Sequence, residues 1–162
     1  MNLDLTQKTA IVCGSTQGIG RASAVELALM GANVTLMARN EAALQQTLST
    51  LDVSQGQTHR YIVADFSNIE NVKEAIDTYL ATFPEVQILI NNTGGPTGGP
   101  IIDAAPEQFM KTFEMHLLNN QVLAQAVVPA MKKAGFGRIV NIISTSVKQP
   151  IVGLGVSNTI RW

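Results

Sequence analysis

The sequence of 162 residues predicts an α/β fold built on a doubly wound parallel sheet. Three observations support this prediction. Short apolar runs alternate with segments of helical periodicity, charged residues make up only 14% of the chain, and a glycine-rich segment directly follows the first apolar run. Because a parallel sheet is covered on both faces, its strands are continuous apolar runs. We expect residues 1–162 to form a single domain.

Five segments have the length and composition of buried strands, since each is short, mostly aliphatic or β-branched, and bounded by glycine or polar residues. They are Thr9–Cys13, Asn33–Met37, Tyr61–Ala64, Val86–Asn91 and Arg138–Ile143. In a doubly wound sheet they would lie in the order 3-2-1-4-5, without the further C-terminal strands of a complete sheet of this kind. We therefore expect the last strand to be an uncovered apolar edge that favours self-association.

Two amphipathic helices are predicted, one after the second strand and one after the third, because their apolar residues recur every three or four positions. Their faces consist of Leu44, Thr47, Leu48 and Leu51, and of Ile69, Val72, Ile76, Tyr79 and Leu80. Ser67 followed by Glu70 predicts a capping box at the start of the second helix.

A longer helix is predicted from Pro106 to about Lys132, since Pro106 and Glu107 form a favourable first turn. Pro129 is expected to kink or shorten its end. An uninterrupted helix would turn one stripe of residues towards the sheet. That stripe consists of Phe109, Phe113, His116, Leu117, Asn120, Ala124 and Val127.

Composition argues against several classes of partner. The chain has 11 basic and 12 acidic residues, so it lacks the basic footprint of a nucleic-acid-binding protein. The single cysteine, Cys13, has no companion for a disulfide or a metal site, which predicts a reducing compartment and no metal. No segment reads as a signal peptide or membrane span, and we expect a cytoplasmic protein.

Residues 14–20, GSTQGIG, directly follow the first strand and open a helix of small residues. Gly14 would permit a tight turn, Gly18 would let backbone N–H groups approach a pyrophosphate, and Gly20 would let the helix pack closely on the sheet. An ordinary turn between strand and helix is the alternative. The position after the first strand favours a nucleotide site.

With this glycine spacing, the chain resembles the short-chain dehydrogenase/reductase family. The resemblance rests on GSTQGIG, on Asp65-Phe66 after the third strand, on NNTG at 91–94, and on GRIVNIIS at 137–144. Within the family it is most similar to the 3-oxoacyl-acyl-carrier-protein reductase type. The resemblance implies a Rossmann-like fold, a homo-oligomer, and hydride transfer between a nicotinamide cofactor and a small-molecule ketone or secondary alcohol.

The resemblance also implies cofactor contacts, in which Asp65 would bind the adenine, Asn91 and Gly94 would line the cleft, and the backbone of Ile19 would touch a phosphate. The full set is Gly14, Ser15, Gln17, Gly18, Ile19, Gly20, Arg39, Asp65, Phe66, Asn91, Thr93 and Gly94. Arg39 ends the second strand, where a guanidinium suits a 2′-phosphate and a carboxylate would suit a free ribose hydroxyl. We therefore expect NADP rather than NAD, unless Arg39 is an ordinary surface residue.

The catalytic positions depart from the family's pattern. Ser157 and Arg161 stand where the family has tyrosine and lysine, and a serine hydroxyl is a poor proton donor near neutral pH. Arg161 keeps the positive charge and can hydrogen-bond the cofactor ribose, but it stays protonated and cannot relay protons as lysine does. His116, in place of the family's asparagine, is either a core residue or a substitute acid. Ser144 keeps its implied role of hydrogen-bonding the substrate oxygen.

A nucleotide-binding pseudoenzyme, or an inactive fragment of a short-chain reductase, is the main alternative function, and the departures at Ser157 and Arg161 favour it. An S-adenosylmethionine-dependent methyltransferase would need an acidic residue after the second strand, which Arg39 argues against. Substrate identity stays open at this stage.

Overall fold

In the computed structural model, which describes residues 3–161, five parallel strands form one sheet in the order 3-2-1-4-5. The strands are β1 (Thr9–Cys13), β2 (Asn33–Ala38), β3 (Arg60–Val63), β4 (Ile88–Asn91) and β5 (Arg138–Asn141). The predicted α/β class and strand order are confirmed. The strand β3 lies one residue earlier than predicted at both ends, β4 begins two residues later, β5 ends two residues earlier, and β2 is one residue longer than predicted.

Helices cover both faces of the sheet. They are α1 (Gly18–Leu29), α2 (Glu41–Leu48), α3 (Ile69–Thr82), α4 (Pro106–Phe113), α5 (Asn119–Lys133) and α6 (Gly155–Ile160). Successive strand residues point to opposite faces. Ala10 and Val12 therefore pack with the face that α1 and α2 cover, while Ile11 and Cys13 pack with α3 and α5.

The helix α3 begins one residue later than its predicted capping box. Asn68 is the N-cap, and its side-chain oxygen accepts hydrogen bonds from the N–H groups of Glu70 and Asn71. The prediction of Ser67 as the cap is wrong, because the N–H of Ser67 instead donates to the Asp65 carboxylate in the preceding turn. The predicted apolar face is confirmed at Val72, Ile76 and Tyr79.

A π turn at Glu114–Leu118 interrupts the predicted long helix between α4 and α5. A π turn adds a residue to the helical period, so every later side chain is rotated relative to an uninterrupted helix. The predicted stripe is therefore wrong in part: Leu117 is exposed, and Asn119 rather than Asn120 is fully buried. The buried residues are Thr112, Asn119, Leu123, Val127 and Met131.

Pro129 lies inside α5, which ends at Lys133, close to the predicted end, so Pro129 does not shorten the helix. Proline has no N–H to donate to the carbonyl four residues earlier. That carbonyl belongs to Gln125, which is exposed, so water can satisfy it.

Every residue of β5 is exposed, and β4 is its one neighbour in the described sheet. The expected uncovered edge is therefore present in residues 3–161. Of the helices in this range, none is both long and apolar enough to cross a membrane.

The π turn predicts unequal costs for two leucine truncations. Leu123→Ala should lower the free energy of unfolding by about 3 kcal/mol, because Leu123 is fully buried and its removal leaves a cavity. Leu117 is 51% exposed, so Leu117→Ala should change it by less than about 0.5 kcal/mol. Urea denaturation measures both. Equal costs would instead support the uninterrupted helix.

Candidate active site

The glycine turn between β1 and α1 lies at the carboxyl end of the sheet. Gly14 and Gly18 have φ angles of +57° and +54°, in the left-handed region that side chains other than glycine rarely adopt. The Gly14 N–H donates to the Met37 carbonyl at 2.8 Å, which ties the turn to β2. The backbone of the turn is thus tied directly to the neighbouring strand.

Two further contacts hold this turn. A Cβ added at Gly20 would lie 2.2 Å from the Gly14 carbonyl oxygen, so α1 can pack here only with glycine. From the other side, the Asn92 side-chain amide donates to the carbonyls of Cys13 and Gly14, both at 3.3 Å. The sequence reasoning assigned no role to Asn92. Its position directly after β4, beside the strand that carries the turn, is the signal that could have found it.

The turn opens into a cleft of about 470 Å³ that runs along the carboxyl ends of the strands. Nine of the predicted cofactor residues line it: Gly14, Gln17, Gly18, Ile19, Arg39, Asp65, Phe66, Thr93 and Gly94. The residues that the sequence reasoning did not assign are Thr16, Ala38, Ala64, Ser67, Asn92, Gly95 and Met115. Most residues of the second group are sequence neighbours of residues in the first. The loops that contain the predicted residues therefore line the cleft.

Ser15, Gly20 and Asn91 are buried and do not line the cleft. The Asn91 amide donates to the Asn141 side-chain oxygen at 2.8 Å and so links β4 to β5. Asn91 thus lies beneath the cleft rather than in its lining, because the last residue of a buried strand is held within the sheet. Ser15 has a buried hydroxyl without a hydrogen-bond partner in residues 3–161.

Opposite charges meet at the far end of the cleft, where β2 and β3 end. Asp65 accepts a hydrogen bond from the Ser67 N–H at 2.9 Å. Hydrogen bonds from Ser67, and then the positive charges of Arg39 and Lys111, hold the pKa of Asp65 below its usual value, so it is a carboxylate at neutral pH. Arg39 is exposed and its side chain makes no hydrogen bond within residues 3–161, which leaves the guanidinium free for a ligand.

His116 lies on the π turn, and its Nδ1 is 2.9 Å from the Thr93 hydroxyl. Its Nε2 is buried and has no hydrogen-bond partner in the described chain. Burial lowers the pKa of His116 to about 4, the charge of Arg161 acts in the same direction, and a hydrogen bond with the Gly94 backbone opposes both. The imidazole is therefore uncharged at neutral pH.

Arg161 follows α6 and is partly buried, and its Nη2 donates to the Ile142 carbonyl at 3.3 Å. A Cβ added at Gly95 would lie 3.6 Å from Nη1. Together, Thr93, Gly94, Gly95, His116 and Arg161 form one group at the β4 end of the cleft, which we name the His116 cluster. The structure thus brings together two of the four predicted catalytic residues.

Ser144 and Ser157, the two predicted catalytic serines, share no side-chain hydrogen bond with the His116 cluster within the described residues. Ser144 begins a 3₁₀ turn at Thr145–Val147, and its hydroxyl oxygen accepts from the Ser146 N–H at 3.2 Å. Ser157 is 5% exposed within α6. Among residues 3–161, no side-chain hydrogen bond joins either serine to His116 or Arg161.

Cys13 is fully buried, and burial raises the pKa of its thiol to about 12, so it is a packing residue rather than a nucleophile. The described residues contain no group of three or more histidine, cysteine, aspartate or glutamate side chains placed to hold a metal ion.

The environment of His116 predicts its titration. Between the ordinary pKa of 6.5 and about 4, the unfolded chain binds a proton that the native chain does not. Native stability should therefore fall as the pH drops through this window, and His116→Asn should reduce that fall.

NMR titration of the ring C2 protons should place the His116 midpoint near 4, and Arg161→Gln should raise this midpoint because a repelling cation is removed. A midpoint above 6 in the parent chain would contradict the described environment.

The model of the short chain dehydrogenase family matches residues 8–156. The uncharacterized oxidoreductase YvaG of Bacillus subtilis is 32% identical over 151 residues, which cover 93% of this chain and 56% of that protein. Dehydrogenase/reductase SDR family member 4 of Oryctolagus cuniculus is 30% identical over 155 residues, which cover 95% of this chain and 59% of the relative. The chain thus spans less than two thirds of the length of these curated relatives.

Solved structures give the same result. L-sorbose reductase from Gluconobacter frateurii, complexed with NADPH and L-sorbose, superposes with a TM-score of 0.92 at 28% identity and covers 99% of this chain and 61% of that one. A metagenomic short-chain oxidoreductase in complex with NADP gives a TM-score of 0.87 at 30% identity, covering 98% of this chain and 72% of that one. With its Rossmann-like sheet and its glycine turn, the chain belongs to the short-chain dehydrogenase family.

Proposed function

We propose that the chain is an NADP-dependent oxidoreductase that transfers a hydride between the nicotinamide and a small-molecule ketone or secondary alcohol. One observation carries this proposal. A glycine turn suited to a pyrophosphate and the exposed Arg39 line the same cleft, and that cleft ends at the His116 cluster. NADPH or NADP is bound in the similar sorbose reductase and metagenomic oxidoreductase, which supports the choice of cofactor.

The residues present fit a dinucleotide. Backbone N–H groups between Gly14 and Gly20 would hold the pyrophosphate at the start of α1, since a helix N-terminus attracts anions. Asp65 would accept hydrogen bonds from the adenine, and Arg39 would bind the 2′-phosphate. The remaining proposed contacts are Ser15, Gln17, Ile19, Phe66, Asn91, Thr93 and Gly94, with Ser15 and Asn91 acting from beneath the cleft. NADPH, when bound, supplies the hydride for carbonyl reduction.

The chain's own residues would handle the substrate oxygen and the proton. The Ser144 hydroxyl accepts a hydrogen bond from the Ser146 N–H, so its own proton is free to be donated to a substrate oxygen. His116 would supply the proton in its charged form, which becomes more abundant as the pH approaches 4. Ser157 is buried and would support α6 rather than donate a proton.

A nucleotide-binding protein without turnover is the second candidate. The observation that favours it is Ser157, which stands where the family has its tyrosine. A serine supplies no phenol there, and its hydroxyl is buried within α6. Both candidates require NADPH binding. They differ only in whether a bound ketone is reduced.

The 3-oxoacyl-acyl-carrier-protein reductase type is one of several reductases with this fold, and the ketone class is therefore proposed without it. Two finer expectations belong to the same proposal. The exposed apolar edge at β5 supports self-association, which light scattering of the purified chain would test. A cytoplasmic location is proposed from the composition.

Arg39→Gln should weaken NADPH binding by at least about tenfold and leave NADH binding almost unchanged, because only NADPH carries the 2′-phosphate. Titration followed by nicotinamide fluorescence measures both affinities. The matched control is Arg138→Gln, since Arg138 is an exposed arginine at the opposite end of the sheet, at the start of β5. Equal losses for the two cofactors would contradict the assignment of Arg39.

Turnover separates the two candidates. If the chain is a reductase, NADPH oxidation with ethyl acetoacetate or another small ketone should accelerate as the pH falls from 7 to 5, because more His116 is protonated. His116→Asn should lower the rate and flatten this profile. Saturable NADPH binding without oxidation of NADPH by any ketone would support the binding protein, and an unchanged rate and profile in His116→Asn would remove the histidine from the mechanism.

A further inference from the structure

Asn119, at the start of α5, is a polar residue with no exposed surface. Its side-chain amide donates to the Phe66 carbonyl at 2.7 Å and to the Met115 carbonyl at 3.3 Å. A primary amide carries two N–H groups, so each carbonyl has a donor of its own. One buried side chain therefore joins two segments that are distant in sequence.

The two carbonyls belong to residues beside the proposed site. Phe66 directly follows Asp65, the proposed contact of the adenine, whereas Met115 directly precedes His116. Phe66 and Met115 both line the cleft. The Asn119 amide thus connects the backbone next to Asp65 with the backbone next to His116.

The other hydrogen bonds of the loop at residues 65–68 lead elsewhere. The Asp65 N–H donates to the Asn71 side chain in α3 at 2.8 Å, and the Asn68 N–H donates back to the Asp65 carbonyl at 3.0 Å. Within residues 3–161, only the Asn119 amide forms a hydrogen bond between this loop and the segment that runs from α4 through the π turn to α5. A movement of the loop would therefore shift or break this hydrogen bond.

The π turn makes the link possible. The backbone N–H of Asn119 donates to the Glu114 carbonyl, five residues earlier, instead of to the Met115 carbonyl that a regular α-helix would use. The Met115 carbonyl accepts from the Asn119 side chain instead. Because a buried amide without an acceptor is costly, Asn119 holds the π turn and the loop in one relative position.

We propose that Asn119 is a positioning residue that couples the two ends of the cleft. An adenine nucleotide at Asp65 would fix the adjoining loop. The Asn119 amide would pass this restraint to the π turn that carries His116. The inference rests on the oxidoreductase proposed above, in which Asp65 contacts the adenine. Cutting the link would weaken nucleotide binding and separate His116 from its effect.

The first measurement is calorimetric titration of the full chain with 2′,5′-ADP, which carries the adenine and the 2′-phosphate but no nicotinamide. Asn119→Leu keeps the approximate size of the side chain and removes both donors. Asn119→Ser keeps a hydroxyl that can donate to the carbonyl four residues earlier but is too short for the Phe66 carbonyl. Both variants should bind 2′,5′-ADP about fivefold or more weakly than the parent chain.

The second measurement follows the ring C2 proton of His116 by NMR during the same titration, with His116→Asn used to assign it. In the parent chain, 2′,5′-ADP should shift this resonance, although the nucleotide has no nicotinamide. His59 directly precedes β3, at the opposite end of the sheet, and its resonance should stay unchanged. In Asn119→Leu and Asn119→Ser, the His116 shift at saturation should fall by at least about half, because the link is cut.

Two controls separate positioning from stability. Asn120→Leu makes the same substitution one position later, where the side chain forms no hydrogen bond in the described chain. Val127→Ala truncates a fully buried residue of the same helix that does not line the cleft. Both should keep the affinity and the His116 response of the parent, although Val127→Ala lowers the free energy of unfolding. Circular dichroism shows whether each variant is folded, and Asn119→Ser keeps the test informative if Asn119→Leu is not.

Parent-like affinity and response in the folded Asn119 variants would overturn the proposal, and so would an equal loss in Val127→Ala. If the chain binds NADPH but 2′,5′-ADP either does not bind or leaves the His116 resonance unchanged, the coupling alone is wrong. Failure of the parent chain to bind 2′,5′-ADP and NADPH would count against the oxidoreductase and the coupling together.

Discussion

The parallel pairing of β1 with β4 is the constraint on which the site depends. Its register sets Val12 against Ile90, so the residues that follow the two strands, from Gly14 and from Asn92, meet at the same edge. The Asn92 amide then holds the carbonyls of Cys13 and Gly14. Because these groups are backbone atoms at fixed positions, the turn is shaped before any ligand arrives. Pre-organisation of this kind reduces the entropic cost of binding.

Charge is distributed unevenly along the cleft. At the β2 and β3 end, Arg39 and Asp65 lie near the surface, where water moderates their interaction. At the β4 end, burial keeps His116 neutral, and the partly buried Arg161 donates a hydrogen bond to the Ile142 carbonyl. The same chain therefore offers two cationic positions with different surroundings. The exposed one is open to a ligand that stays in contact with water, whereas the partly buried one lies beside the neutral imidazole.

The sequence predicted the sheet well because its signals are local and redundant. Each strand is an apolar run bounded by glycine or polar residues. The turn after β1 requires glycine at Gly14, which has a positive φ, and at Gly20, which packs against a carbonyl oxygen. The buried position of Asn91 depends on a different kind of contact. Its side chain pairs with Asn141, which is 50 positions away, and a contact of that kind follows from the register of β4 and β5 rather than from a local pattern.

The π turn shows where helical periodicity stops being a sufficient guide. Nothing in the composition of residues 114–118 requires the extra residue of this turn, yet the turn changes which later residues face the sheet. The buried Asn119 explains what the turn achieves: its amide donates to the Phe66 carbonyl at 2.7 Å, and Phe66 lines the end of the cleft near Asp65. Three residues earlier, His116 meets Thr93 at the other end. One helical irregularity thus fixes both ends of the cleft relative to each other, and a regular helix through the same residues would lose one contact or the other.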